Sequence, residues 1–265
     1  MFNFIKLLFF PVFCEGCGLL GKSICDKCLM KTHIIKDKQC HNCSQILSTK
    51  NTAHICSTIN NISSIHSIYE YSGIVRKVIL NSKYKLRREP LLFLINNTPT
   101  KLWQIPKFYY KKNKAVIIPV PLTLKKRRQR GFSQTEVIAQ KLSMFLNIEI
   151  LNVLIKKNTS SSQVKTKSAT QRTRNVKNSF LITGFNKKPF KTAIIVDDVL
   201  TTGATIKEVA KTLIDGKVVS ENIIVFTLAR NKIMEILSQD KIKKKGADGN
   251  ISVFWMNGRP YNRVS

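Results

Sequence analysis

Ala193-Ile194-Ile195-Val196-Asp197-Asp198-Val199-Leu200-Thr201-Thr202-Gly203-Ala204-Thr205 is the stretch that decides how this chain folds. The apolar run Ala193, Ile194, Ile195, Val196 reads as a strand buried on both faces, as a parallel sheet requires. Two carboxylates follow at once, then a turn of small residues. From about Ala204 to Gly216 the pattern predicts an amphipathic helix, with Val209 and Leu213 on one face. The next strand is expected at Asn222 to Leu228, which completes a βαβ unit.

In such sheets ligands sit beyond the carboxyl ends of the strands. The turn Thr201, Thr202, Gly203, Ala204, Thr205 brings backbone N–H groups and hydroxyls to a helix start, where a phosphate is favoured. Asp197 and Asp198 point to opposite sides of the strand end. As acceptors they suit sugar hydroxyls or a hydrated Mg²⁺ ion rather than a phosphate. Together these parts describe a ribose 5-phosphate site. The competing reading is that the acids end a strand and cap a helix.

The whole segment resembles the phosphoribosyl-diphosphate (PRPP) motif of type I phosphoribosyltransferases. Four apolar residues, two acids, two apolar residues and Thr-Thr-Gly-Ala-Thr make a long pattern. The resemblance implies an α/β fold of mainly parallel sheet flanked by helices, and PRPP bound with Mg²⁺.

Upstream, Ile65 to Tyr71 reads as a strand and Gly73 to Leu86 as a helix with Ile74, Val78 and Leu80 inward. That helix ends in Lys83-Tyr84-Lys85-Leu86-Arg87-Arg88. Basic residues there complement the helix dipole, and Lys83 is also placed to reach a diphosphate. Leu91 to Trp103 reads as a further helix. Ala115 to Ile118 is another buried strand, bent by Pro119 and Pro121 where a backbone can approach a ligand. From Lys107 to Arg130 there are nine cationic residues and no acid. Ser133 and Glu136 form an S-x-x-E capping box ahead of a helix bearing Ile138, Leu142, Phe145 and Leu146.

Pro119-Val120-Pro121-Leu122, then Arg130-Gly131-Phe132-Ser133-Gln134, then the twin-acid motif, are similar to the ComF competence family. Ser133 stands where that family's motif has Asn. The resemblance covers nearly all of residues 1–230. It implies an N-terminal zinc finger joined to a phosphoribosyltransferase-like domain, acting in uptake of single-stranded DNA. It further implies that Pro121 and Leu122 belong to a diphosphate loop. Arg128 to Gln134, with Arg130, would then belong to a mobile basic loop over the site. Lys156 to Lys191, with ten Lys or Arg and no acid, reads either as a solvated loop or as a lid over phosphates or single-stranded DNA. Gln163, Arg172, Arg174 and Asn175 match the family only loosely there.

Seven cysteines lie in the first sixty residues, and Cys14/Cys17 with Cys25/Cys28 form two C-x-x-C knuckles. That spacing suits four thiolates on one structural Zn²⁺. Cys40/Cys43 is a third knuckle, with His54 and Cys56 to complete a second site and His41 as a weaker candidate. The alternative is a degenerate knuckle with free thiols. Too few large apolar residues accompany the knuckles for them to fold without metal.

The balance of 45 Lys and Arg against 15 Asp and Glu gives +30, which favours polyanionic ligands or reflects a solvated Lys-rich surface. No apolar run reaches the ~20 residues of a membrane span. Phe2 to Phe13 reads as a mature amphipathic segment rather than a signal peptide, so a cytoplasmic protein is expected. Met1-Phe2 denies a catalytic cysteine to a fused glutaminase. The expected organisation is a zinc-knuckle region at 1–62, a phosphoribosyltransferase-like domain at 63–230 and a basic tail at 231–265. Three functions stay open: a PRPP-binding ComF-like protein, an active phosphoribosyltransferase of nucleotide salvage, and a non-catalytic adaptor for single-stranded DNA or a DNA-uptake helicase. No catalytic nucleophile is identifiable.

Overall fold

The computed structural model describes residues 11–35, 62–105, 110–157 and 178–231, together with the backbone of 255–256 and 259–260. The chain divides into two compact units, Met1–Lys232 and Ile233–Ser265. Cys40, His41, Cys43, His54 and Cys56 lie outside the described residues, as do Gln163, Arg172, Arg174 and Asn175.

In chain order the elements are α1 (Asp26–Met30), β1 (Ile62–Glu70), α2 (Gly73–Tyr84), α3 (Glu89–Asn96), β2 (Ala115–Pro119), α4 (Leu124–Arg130), α5 (Gln134–Leu146), β3 (Leu154–Lys156), β4 (Phe180–Ile182), β5 (Phe190–Leu200), α6 (Ala204–Asp215) and β6 (Val219–Arg230). The second unit contributes β7 (Trp255–Met256) and β8 (Arg259–Pro260), an antiparallel pair.

Four strands form one sheet in the order β1-β6-β5-β2, all neighbours parallel. Side-chain alternation splits the core in two. Ile117, Ile194, Val196, Ile224 and Phe226 face α2, α3 and α5, while Val116, Ile118, Ile195, Ile223 and Val225 face α6 and the β3–β4 pair. Each such fully buried side chain contributes roughly 1.5–3 kcal/mol, so a sheet covered on both faces is the stable outcome of these runs.

Both sheet edges are covered. Ile35 N–H donates to the Ile68 carbonyl, and Glu70 N–H to the His33 carbonyl, so the cysteine segment lines β1. On the other side Ile117 N–H donates to the Glu149 carbonyl, and Leu151 N–H to the Ile117 carbonyl.

Several sequence expectations are refined. The central strand does not end before the acids: β5 runs through Asp197 and Asp198 to Leu200, because Asp197 and Val199 still pair with Thr227 and Ala229 of β6. On α2 the inward positions are Ile74, Val75, Val78 and Ile79, with Leu80 only half-buried, one residue off the expected face. The segment Leu91 to Trp103 is not one helix. α3 stops at Asn96, and a separate 3-10 turn spans Thr100–Trp103 after Pro99. The basic stretch after β2 is not a loop. Thr123 caps α4 through the Lys126 N–H, and Gly131, at φ 71°, ends it. Ser133 caps α5 as expected, but the Glu136 carboxylate turns to Arg127 instead of back to the cap.

Candidate functional site

The parallel order places the ends of β5 and β6 beside the start of α6, so the twin acids and the Thr201–Thr205 turn share one rim of the sheet. Alternation along β5 sends the acids to opposite faces. Asp197 follows Ile195 toward the α6 side, and Asp198 follows Val196 toward α2.

Asp198 is buried and ion-paired. Lys83, on the last turn of α2, brings its Nζ to 2.6 Å from Asp198 Oδ2. Burial works against the Lys83 ammonium, but Asp198, Asp197 and Tyr71 outweigh it and hold it above the usual lysine range. Asp197 accepts the backbone N–H of Asp198 at 2.8 Å. Burial and the neighbouring Asp198 push Asp197 up to about 7, against the pull of Lys83, that N–H and Lys156. A carboxyl pushed up toward neutrality beside a second, ion-paired one is a common mark of a ligand site.

Lys156, at the end of β3, is a member that sequence reasoning missed. Burial and Lys126 lower its basicity while Asp197 and Asp198 draw it up, and its Nζ lies 5.0 Å from the centre of the Phe180 ring. Lys126 of α4 is lowered by burial, Arg130 and Lys83. Lys83 and Lys156 thus flank the two acids, and Lys126 and Arg130 stand next to those lysines, a surplus of positive charge suited to a diphosphate bound as a metal complex.

The turn has the expected form. Gly203 stands at φ 73°, a left-handed conformation open to glycine, and no side chain caps α6. Ala204 N–H reaches the Thr202 hydroxyl at 3.4 Å. With glycine at the N-cap and only that long contact to the Ala204 N–H, the start of this twelve-residue helix offers amides and the positive end of its dipole to an anion.

The remaining expected residues are placed as follows. Leu122 lies half-buried in the loop after β2. Pro121 lines a cavity of about 300 Å³ at the sheet edge with Pro119, Arg127, Glu136 and Asn152. Arg130 sits over the Tyr84 ring, 5.9 Å from its centre, and donates to Gln134 Oε1. Arg128 is exposed on α4 and makes no ion pair among the described residues.

Cys14, Cys17, Cys25 and Cys28 come together with all four Sγ atoms within 4.8 Å of one another. Burial resists ionisation of Cys14, but backbone N–H groups of Cys17, Cys25 and Gly16 bring it down to about 6. Cys28 is pushed up to about 12 by its contact with the Cys25 thiol and by burial. Four crowded sulfurs that cannot all ionise alone fit a divalent ion that would hold all four as thiolates.

No helix among the described residues is long and apolar enough to cross a membrane. The family profile described as "Phosphoribosyl transferase domain" matches residues 128–256. The chain is 39% identical to Competence protein F of Haemophilus influenzae over 115 residues, 43% of this chain and 49% of that protein. It is 33% identical to DNA utilization protein YhgH of Escherichia coli over 100 residues, 37% of this chain and 42% of that one. With Competence protein ComFC of Bacillus subtilis it shares 25% identity over 219 residues, 74% of this chain and 85% of that one. The match to Competence protein F therefore spans about half of that relative's length.

Proposed function

This chain is a ComF-like protein of phosphoribosyltransferase fold, and from that premise we propose that it binds PRPP with Mg²⁺ at the twin-acid rim and serves in DNA uptake. The observation that carries the reading is the juxtaposition of Asp197 and Asp198 with the start of α6. In this reading the amides and hydroxyls of Thr201, Thr202, Gly203, Ala204 and Thr205 take the 5-phosphate. Asp197 and Asp198 take the ribose hydroxyls and, as hard oxygen donors, suit Mg²⁺. Lys83, Lys126, Arg130 and Lys156 neutralise the diphosphate, with Pro121 and Leu122 forming the loop beside it. Cys14, Cys17, Cys25 and Cys28 hold one structural Zn²⁺.

The Lys83–Asp198 pair must open for this to happen. The Mg²⁺ of the complex would meet Asp198 and a phosphate would meet Lys83, so each partner of the pair gains an opposite charge in exchange for the one it gives up. The names of its relatives speak of competence and of DNA utilization, and a charge of +30 suits a polyanion; in this reading that polyanion is incoming single-stranded DNA, met in the cytoplasm.

The experiment is a calorimetric titration with PRPP and Mg²⁺ of the wild type and of Asp197→Asn/Asp198→Asn. The wild type binds and the double variant does not, with unchanged zinc content. Equal binding by both removes the site assignment. Transfer chemistry is a separate question, answered by diphosphate release across a panel of nucleobases. The non-catalytic adaptor reading draws on the Lys83–Asp198 pair as a closed arrangement. It gains if PRPP fails to bind while single-stranded DNA binds with a steep salt dependence.

A further inference from the structure

We infer that Glu15 is a positioning residue through which the cysteine-knuckle segment fixes helix α2 and, at the end of that helix, the Lys83 ammonium beside Asp198.

Glu15 lies between two cysteines, yet it points away from them into the domain. It is buried, and both of its oxygens are engaged by α2 and the turn after it. Asn81 Nδ2 donates to Oε2 at 2.5 Å, and Arg87 Nη1 to Oε1 at 2.5 Å. Asn81 is two residues before Lys83 on the same helix. Arg87 follows Leu86, which sits at φ 57°, a left-handed conformation a leucine seldom takes. That turn swings the chain back over α2, and Arg87 N–H also donates to the Asn81 carbonyl. The Arg87–Glu15 pair is what this bend makes possible.

Packing tightens the same joint. Cys14, Ile24 and Cys28 share one apolar cluster with Ile74, Val75, Val78 and Ile79 of α2. At Gly16 an added Cβ would stand 2.5 Å from Cys28 Sγ and 3.2 Å from Ile74 Cδ1, so the knuckle and the helix meet at backbone distance. A helix gripped along one side and at its last turn is a rigid lever, and Lys83 is on that turn. The cysteine segment would thus act on the ligand site without touching the ligand.

The inference rests on the PRPP reading only for its effect on ligand affinity. Its positional part is read without ligand, from the rate at which Lys83 is acylated by an amine-selective reagent, followed by mass spectrometry. Lys211, exposed on α6, serves as the internal reference. Arg87 is half-exposed, so Arg87→Met leaves no large cavity; Glu15→Gln tests the other partner, and Arg87→Lys keeps the charge.

Arg87→Met and Glu15→Gln are expected to retain one zinc per Cys14–Cys28 site, raise Lys83 acylation about fivefold or more relative to Lys211, and weaken PRPP–Mg²⁺ binding by a similar factor. Arg87→Lys restores part of both. Unchanged Lys83 acylation in both variants, even with a lowered melting temperature, overturns the inference, because the joint then only stabilises. If Lys83 responds but the wild type does not bind PRPP, the lever stands and the PRPP reading falls.

Discussion

Lys83 Nζ lies 2.6 Å from Asp198 Oδ2, joining the end of α2 to the twin-acid strand across the mouth of the candidate site. Both side chains are largely buried, so removing one takes the nearest counter-charge from the other and leaves only the more distant Asp197 or Lys156. Lys83→Met is expected to destabilise the fold by about 1–3 kcal/mol, less than for a fully enclosed pair because the rim opens to water. It should also raise the titration of Asp197 further, since Lys83 holds that carboxyl down. Denaturant melts and the pH midpoint of ligand binding check the two effects separately.

Asp197 titrates at about 7 in the folded chain, well above its value of 3.8 in the open. The folded state therefore keeps a proton that the unfolded state has lost, and stability declines as pH rises from about 4 to 7. Asp197→Asn removes that dependence. The variant should melt higher than the wild type at pH 8 and no higher at pH 4, while losing PRPP–Mg²⁺. A variant that melts lower at both pH values contradicts the assignment of the raised group.

The same titration acts on the ligand. Binding a metal-complexed sugar requires both carboxylates ionised, so the free protein must release the Asp197 proton below about pH 7. The PRPP–Mg²⁺ affinity is expected to rise from pH 6 to 7 and level off by pH 8. Calorimetry in two buffers of different ionisation enthalpy will show proton release at pH 6 and almost none at pH 8.

Much of this was legible in the sequence, and the reasons differ from residue to residue. The strand–acid–turn–helix segment was readable because apolar runs, paired acids and a Gly each carry their own signal over adjacent positions. Cys14, Cys17, Cys25 and Cys28 were readable from spacing. Lys156 was not, because one lysine in a Lys-rich stretch has no pattern, and only the tertiary fold brings the end of β3 within electrostatic reach of Asp197 and Asp198. Glu15 was hidden for the same reason, its partners being 66 and 72 residues away. Helix α4 was masked by its five Lys and Arg, yet Thr123 and Gly131 were its start and stop signals.

In the proposed reading Gly203 is what lets the turn at residues 201–205 serve as a phosphate cup. Gly203→Ala meets no crowding, the nearest atom to the new Cβ being Leu200 Cδ1 at 4.0 Å, so any cost comes from φ 73° alone. About 1 kcal/mol of stability is expected to go, and ligand affinity with it as the amides of the turn rotate. An alanine variant with wild-type affinity would show that the turn does not hold the phosphate.

Gly16→Ala tests the cysteine segment by crowding. Its Cβ would fall 2.5 Å from Cys28 Sγ, and relief requires moving either Cys28 or the Gly16 backbone away from α2. A loss of about 1–3 kcal/mol is expected, together with faster release of zinc to a chelator. Zinc retention and melting equal to the wild type would show that the four sulfurs are not held as one site.

The most direct measurement is a crystal structure of the protein with PRPP and Mg²⁺. The account predicts the 5-phosphate against the amides of residues 202–205 and the ribose hydroxyls on Asp197 and Asp198. Lys83 Nζ should have left Asp198 Oδ2 by more than hydrogen-bond reach, about 3.5 Å. Density for the ligand elsewhere, or none at saturating concentration with the Lys83–Asp198 pair intact, would contradict it.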